Sequence, residues 1–261
     1  MELSFDHLVH IVNRPEETIE DLATIGLKAN LGGRHEFWGT YNALSYFGLS
    51  YIEFLGIFDY TIASSIKEND LIIQANQWLP EKEGFARIAL RTNDIDEVIK
   101  RLDQLRIKTI GPIKGKRKRE DGKLLQWEML FISDHVENLP TPFIIQWHEA
   151  DEVRLKDIEQ INNPLKLQEL VFAVENGELI AEKWSQWFQL KKKAPYKDKK
   201  LKANCISLEL EGCNLVFASP YGQGEISRIL EHNGEGPCLL KIANNNIVLE
   251  REMFGGYYQF V

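Results

Sequence analysis

Shifted by eighty residues, one stretch of this chain lies on another without a gap. Asn13 falls on Asn93, Glu17 on Glu97, Ile19 on Ile99, Leu22 on Leu102, Leu27 on Ile107 and Lys28 on Lys108. Segments 5–28 and 85–108 are therefore two copies of one unit, and any fold for the chain must use that unit twice. In the first copy, the apolar-rich run 6–12 has strand length. Asn13, Arg14 and Pro15 form a turn with Pro at a first helical position. Ile19, Leu22, Ala23 and Ile25 then repeat at a helical period, and Gly26 stops the helix. In the second copy Asp94 takes the N-cap position with Glu97 three residues on.

Three short strand-like runs follow each helix: 27–31, 40–47 and 50–58 after the first, and 107–113, 124–132 and 142–149 after the second. Each unit thus reads βαβββ. A helical stretch at 66–78 links them and ends before Pro80. A weaker third copy starts near Glu169, where Leu8 falls on Leu170, Val9 on Val171 and Val12 on Val174. Its helix spans 177–188, strands follow near 206–210 and 215–218, a last helix covers 225–232, and strands lie at 239–243 and near the C-terminus. The expected class is α+β, with a domain at 1–150 made of modules 5–60 and 85–150 around a helical linker at 61–84. A charged, Asn-rich connector at 151–164 leads to a degenerate βαβββ-like region at 165–261.

Composition narrows the partners. Lys plus Arg number 31 and Asp plus Glu 39, a net charge of -8, which argues against nucleic acid. Charges interrupt every apolar run, so no membrane span is expected. The first residues lack a basic region followed by an apolar one, and Cys205, Cys213 and Cys238 have no C-x-x-C spacing, which together suggest a cytoplasmic protein with reduced thiols. There is no P-loop, G-x-G-x-x-G, H-E-x-x-H or G-x-S-x-G motif.

The paired modules and the run Gly32-Gly33-Arg34-His35-Glu36-Phe37-Trp38-Gly39-Thr40-Tyr41-Asn42-Ala43-Leu44, followed by Tyr51-Ile52-Glu53-Phe54-Leu55, resemble the glyoxalase-like branch of the vicinal oxygen chelate superfamily. The resemblance implies that paired modules wrap into half-open barrels, each around one metal held from the first and last strands of the modules. Carried over residue by residue, it offers His7 and Glu53 from the first module, and Gln146 with His148 from the second, as ligands for Zn, Mn, Fe or Ni. Arg87 stands where the repeat would place a second His7, and a permanent cation cannot ligate a metal.

The chemistry so implied is a metal-assisted lyase, isomerase or dioxygenase reaction on a small oxygen-rich substrate, with Glu53 or His35 moving the proton. Arg34, Trp38, Thr40, Asn42, Arg87 and Trp127 are the candidate substrate contacts, with Trp147 as a further wall. The alternative is a metal-free pocket that sequesters a small molecule, with Arg87 as anion anchor. A homodimer is compatible with the superfamily's habit of pairing modules between chains.

Blander readings stand beside these. His7 can be a strand-end histidine, and Glu53 can form a structural ion pair with Arg87. Gly32 and Gly33 suit a turn. The basic run 114–123 reads as a solvated hairpin tip, and the lysine-rich run 191–202 as a solvated cation cluster after a helix end. His10, out of phase with His7, belongs on the opposite face.

Overall fold

The computed structural model describes residues 2–119, 122–134, 138–244 and 249–261. The first unit is β1 (Ser4–Ile11), α1 (Glu17–Thr24), β2 (Asn30–His35), β3 (Thr40–Phe47) and β4 (Ser50–Ile57). Two linker helices follow, α2 (Tyr60–Ser65) and α3 (Asp70–Trp78). The second unit is β5 (Gly84–Arg91), α4 (Ile95–Gln104), β6 (Thr109–Lys118), β7 (Leu124–Ile132) and β8 (Phe143–Trp147). All eight strands join one mixed sheet in the order β2-β3-β4-β1-β5-β8-β7-β6. In each unit the last strand runs parallel to the first, and the two first strands pair antiparallel at the centre. The sheet curls until its edge strands meet, and a Cβ added at Gly33 on β2 would lie 2.7 Å from the Lys118 carbonyl oxygen on β6.

Burial explains why the central strands look apolar on both faces. Every residue of β1, β4 and β5 is buried, as expected for strands covered on two sides. On the convex side Leu8, Ile52, Phe54, Ile88 and Leu90 pack with Leu22 of α1 and Val98 and Leu102 of α4. On the concave side Val9, Ile11, Leu55 and Ala89 pack against Ala63 of α2 and Leu71, Ile72 and Ala75 of α3. The linker is therefore more than a connection: its apolar face fills part of the cup. Asp94 caps α4 as its position predicts, accepting from Glu97 N–H at 2.8 Å.

A short helix, α5 (Asp151–Ile158), leads to a second mixed sheet. It contains β9 (Lys166–Ala173), then after α6 (Gly177–Phe188) the strands β10 (Lys191–Lys192), β11 (Tyr196–Asp198), β12 (Ala203–Glu209) and β13 (Asn214–Pro220). After α7 (Glu225–Asn233) come β14 (Gly236–Ala243), β15 (Leu249–Met253) and β16 (Gly256–Phe260). The order is β10-β12-β13-β9-β14-β16-β15, with β11 paired to β12. The expected degenerate third module is thus followed by a further set of strands, β14 to β16, in which β14 runs parallel to β16 as β5 does to β8.

One apolar cluster joins the two sheets, running from Phe5, Leu8 and Leu90 to Trp184, Phe217, Leu240 and Tyr258. His10 lies on this side, as alternation requires, with Nδ1 2.7 Å from Tyr258 Oη and Nε2 2.8 Å from the Phe254 carbonyl oxygen. Burial lowers its pKa to about 4, with the Phe254 carbonyl opposing, so the ring is neutral at pH 7. Tyr258→Phe strands one ring nitrogen in a dry interface and is expected to cost about 1–3 kcal/mol, read as a lower urea midpoint with native near-UV circular dichroism. No helix among the described residues is long and apolar enough to cross a membrane.

Candidate functional site

The concave side of the first sheet carries a chain of five polar groups. Parallel pairing sets Val9 opposite Glu53 and His7 opposite Tyr51, so His7 and Glu53 share a face. His7 Nε2 lies 3.4 Å from Glu53 Oε2, and Nδ1 lies 2.7 Å from Asp6 Oδ1. Adjacent strand residues ordinarily face opposite ways. Here the β1–β5 register shifts between Phe5 and His7, a bulge that brings Asp6 round to its neighbour. Asp6 is fully buried and also accepts from Trp147 Nε1 at 3.0 Å, with Arg91 at 3.4 Å and Arg154 at 3.5 Å. On the far side Asn42 Nδ2 donates to Glu53 Oε1 at 2.6 Å, and Arg117 Nη1 donates to Asn42 Oδ1 at 2.7 Å.

These contacts set the charges. Burial alone would push the His7 imidazolium to a lower pKa, but hydrogen bonds to Asp6 and Glu53, and the charges of both, overcome it and raise the pKa to about 9. Burial likewise works against the Glu53 carboxylate, yet His7, His35 and the Asn42 amide bring its pKa down to about 2. His35 goes the other way: burial lowers it to about 4, Glu53 opposing while Arg117 and His7 add to the fall. At neutral pH the site holds an imidazolium at His7, a neutral ring at His35 and ionised Glu53 and Asp6. Tyr51 stacks on His7 at 4.5 Å, and Trp38, Trp127 and Trp147 stand in a row, the first pair edge to face at 6.2 Å between centroids and the second tilted at 5.3 Å.

An inner chamber of about 40 Å³ lies against His7, His35, Asn42, Glu53 and Arg117, room for a small polar head. It adjoins an outer chamber of about 270 Å³ that shares Leu44, Tyr51, Arg117 and Trp147 and adds Arg119, Arg154, Glu149 and Asp157.

The structure brings His7, Glu53, His35, Trp38, Asn42 and Trp127 together at the inner chamber, with Thr40 behind His35, its Oγ1 3.0 Å from His35 Nδ1. It does not bring the others. Gln146 turns to the convex side, where its Oε1 accepts from Ile95 N–H at 2.7 Å and so caps α4. His148, two residues on, is exposed beside Glu128. Arg34 is exposed with its guanidinium over Phe58. Arg87 points under α3, donating from Nε to Gln74 Oε1 at 3.0 Å and lying 3.9 Å from Asp70. It is not among the residues that line the chamber and does not pair with Glu53; that carboxylate's cation is His7.

Gly32 and Gly33 lie within β2, not in a turn, and Gly32 leaves the space through which Arg117 crosses the seam. Arg117 itself was hidden in the basic run, of which Glu120 and Asp121 lie outside the described residues. Alternation could have found it, because Lys114, Lys116 and Lys118 face outward while Gly115 and Arg117 are buried.

Of the four expected metal ligands only His7 and Glu53 reach the chamber. The residue opposite His7 on β5 is Ala89, and β8 presents Phe143 and Ile145 to the chamber. Among the described residues no group of three or more His, Cys, Asp or Glu side chains is placed to hold a metal. The three cysteines are buried, and burial raises each thiol pKa.

A sequence profile of the glyoxalase-like domain matches residues 5–188, from β1 to the end of α6. The chain belongs to that family. A comparison with curated proteins finds no significant match. Among solved structures, a hypothetical protein from Staphylococcus aureus superposes with a TM-score of 0.81 at 22% identity, covering 99% of each chain. A mutant 4-hydroxymandelate synthase from Streptomyces coelicolor superposes at 0.60 with 13% identity, covering 94% of this chain and 72% of that one. At these identities the likeness is one of fold.

Proposed function

We propose that the first cup of this glyoxalase-like protein is a metal-independent site for a small, flat, oxygen-rich anion. The observation that carries this reading is the fixed pair of cations at the inner chamber. Arg117 is held by Asn42, and His7 is held charged by two carboxylates. Around the two chambers the cations His7, Arg117, Arg119 and Arg154 balance the carboxylates Glu53, Glu149 and Asp157 and the Asp6 carboxylate behind His7, so the site does not share the negative excess of the whole chain. Indole walls suit a planar body, and a guanidinium suits a carboxylate or paired oxygens.

Both Glu53 oxygens are already engaged, which makes it a poor base and favours binding over catalysis as the primary role. The His7–Glu53 contact supports a second reading, in which Glu53 takes a proton from the carbon next to a carbonyl of the bound molecule while the His7 imidazolium gives its proton to the resulting enolate oxygen, and the reverse transfers restore both groups.

Calorimetry with salicylate, and with benzyl alcohol as an uncharged control, tests the first reading. Salicylate is expected to bind at least about tenfold tighter, or ~1.4 kcal/mol, with quenching of tryptophan fluorescence. Elemental analysis of natively purified protein should find far less than one divalent ion per chain. A stoichiometric ion lost in both His7→Ala and Glu53→Ala would overturn it. Deuterium uptake into a panel of small 2-oxo acids tests the second reading, and no uptake above buffer would leave binding alone.

A further inference from the structure

We infer that the side-chain amide of Asn69 reads the ligand of the first cup by donating a hydrogen bond to one of its oxygens; this rests on the anion-binding reading above. Asn69 is the N-cap of α3, the helix that closes the cup, and is 2% exposed. Its Oδ1 accepts from Leu71 N–H at 3.1 Å and Ile72 N–H at 3.3 Å. Those two donors settle which end of the amide is oxygen, because the reverse orientation would set an NH2 group against two N–H groups. The Nδ2 group is therefore turned away from the helix. It is buried, and it has no hydrogen-bond partner among the described residues. Asn69 lines the inner chamber with His7, Asn42, Glu53 and Arg117.

The cap does not call for an amide. Asp and Ser cap helices about as well as Asn, and the neighbouring helix α2 is capped by Asp59, which accepts from Ile62 N–H at 3.0 Å. What Asn69 holds beyond Asp is an NH2 donor. A buried donor without a partner is costly, and the other polar groups in this wall are paired: His7 with Asp6, Asn42 with Glu53, Arg117 with Asn42. An acceptor that arrives with the ligand resolves the exception. An N–H donor on this side of the chamber takes a carboxylate, carbonyl or phenolate oxygen and disfavours an ammonium. With Arg117 it gives the bound molecule two separate oxygen contacts, so the ligand class narrows to acids with a second oxygen near the first.

Salicylate is the probe, titrated into wild type, Asn69→Ser and Asn69→Asp by calorimetry with urea midpoints measured alongside. Serine keeps the capping oxygen and removes the donor; binding is expected to weaken about tenfold with the midpoint little changed. Aspartate keeps the cap and sets a carboxylate against the anion, so the loss is expected to exceed that of serine. Benzoate, which lacks the phenolic oxygen, should lose less than salicylate in Asn69→Ser. Wild-type salicylate affinity in both variants would overturn the inference and leave the anion site standing, whereas no binding by wild type would overturn both. If serine lowers the urea midpoint, the aspartate variant decides.

Discussion

His7→Leu is expected to be among the most damaging single substitutions in the first sheet, costing about 3–5 kcal/mol at neutral pH. The side chain is 3% exposed and sits between two buried carboxylates. Removing it strands Glu53 with only Asn42 beside it, and leaves Asp6 with Trp147 and two more distant guanidinium groups. A buried ion pair is costly to break and much less costly to replace as a whole. The double variant His7→Leu/Glu53→Leu is therefore expected to recover part of the loss. Urea midpoints of wild type, both single variants and the double variant check this, and a double variant as unstable as the sum of the singles would show that the two side chains act separately.

The same pair sets the pH dependence. The pKa of His7 rises from 6.5 to about 9 on folding, so the folded state holds its proton more tightly than the unfolded state. That contribution is complete below pH 6.5 and is lost as pH rises through 9, about 3 kcal/mol at 1.36 kcal/mol per unit. His10 and His35 have the opposite sign. Their folded pKa values fall from 6.5 to about 4, so the unfolded state gains protons first and stability drops as pH falls from 6.5 towards 4. Glu53, lowered from 4.5 to about 2, deepens the loss below pH 4.5. Stability should peak near pH 6.5 to 7, with the acid limb steeper because two histidines share it. In His7→Leu the decline between pH 6.5 and 9 should disappear while the acid limb keeps the two neutral histidines.

Repetition and periodicity carried the fold a long way. The run 124–132 and the helix 177–188 fall where β7 and α6 lie, because both are set by local apolar spacing that tertiary contacts reinforce. The helix expected at 66–78 is α3, which starts later, at Asp70, and a second helix, α2, precedes it; each is opened by its own side-chain cap, Asn69 and Asp59. The site was legible only where a residue and its face follow from alternation, as for His7, Glu53 and Asn42. Asp6 was not, because a bulge breaks the alternation and nothing in the local sequence marks it. Gln146 has the parity of a convex-side residue, and it could be assigned to the cup only while the phase of β8 was unknown. Arg87 was aligned correctly with His7 by the repeat, yet α3 lies over it, and the repeat is silent about an inserted helix that has no counterpart in the second unit. Arg117 needed the closing of the sheet, a contact between residues far apart in the chain.

That closure can be tested at one glycine. Gly32 is not among the residues with positive φ, so any effect of a side chain there comes from volume, not from backbone strain. A Cβ would lie 2.0 Å from Arg117 Nη1, 2.2 Å from Asn42 Oδ1 and 2.8 Å from Leu44 Cδ1. Gly32→Ala must displace the guanidinium or the amide, and both belong to the chain that ends on Glu53. Overpacking of this kind is expected to cost about 1–3 kcal/mol, and salicylate affinity should fall at least about tenfold as Arg117 leaves the chamber. Arg117→Met removes the cation while keeping an unbranched chain through the seam, and should weaken salicylate to a similar degree. If the glycine acts through Arg117, the two losses in binding will not add: Gly32→Ala in an Arg117→Met background should change affinity little. Full additivity would mean that Gly32 shapes the chamber independently of the cation.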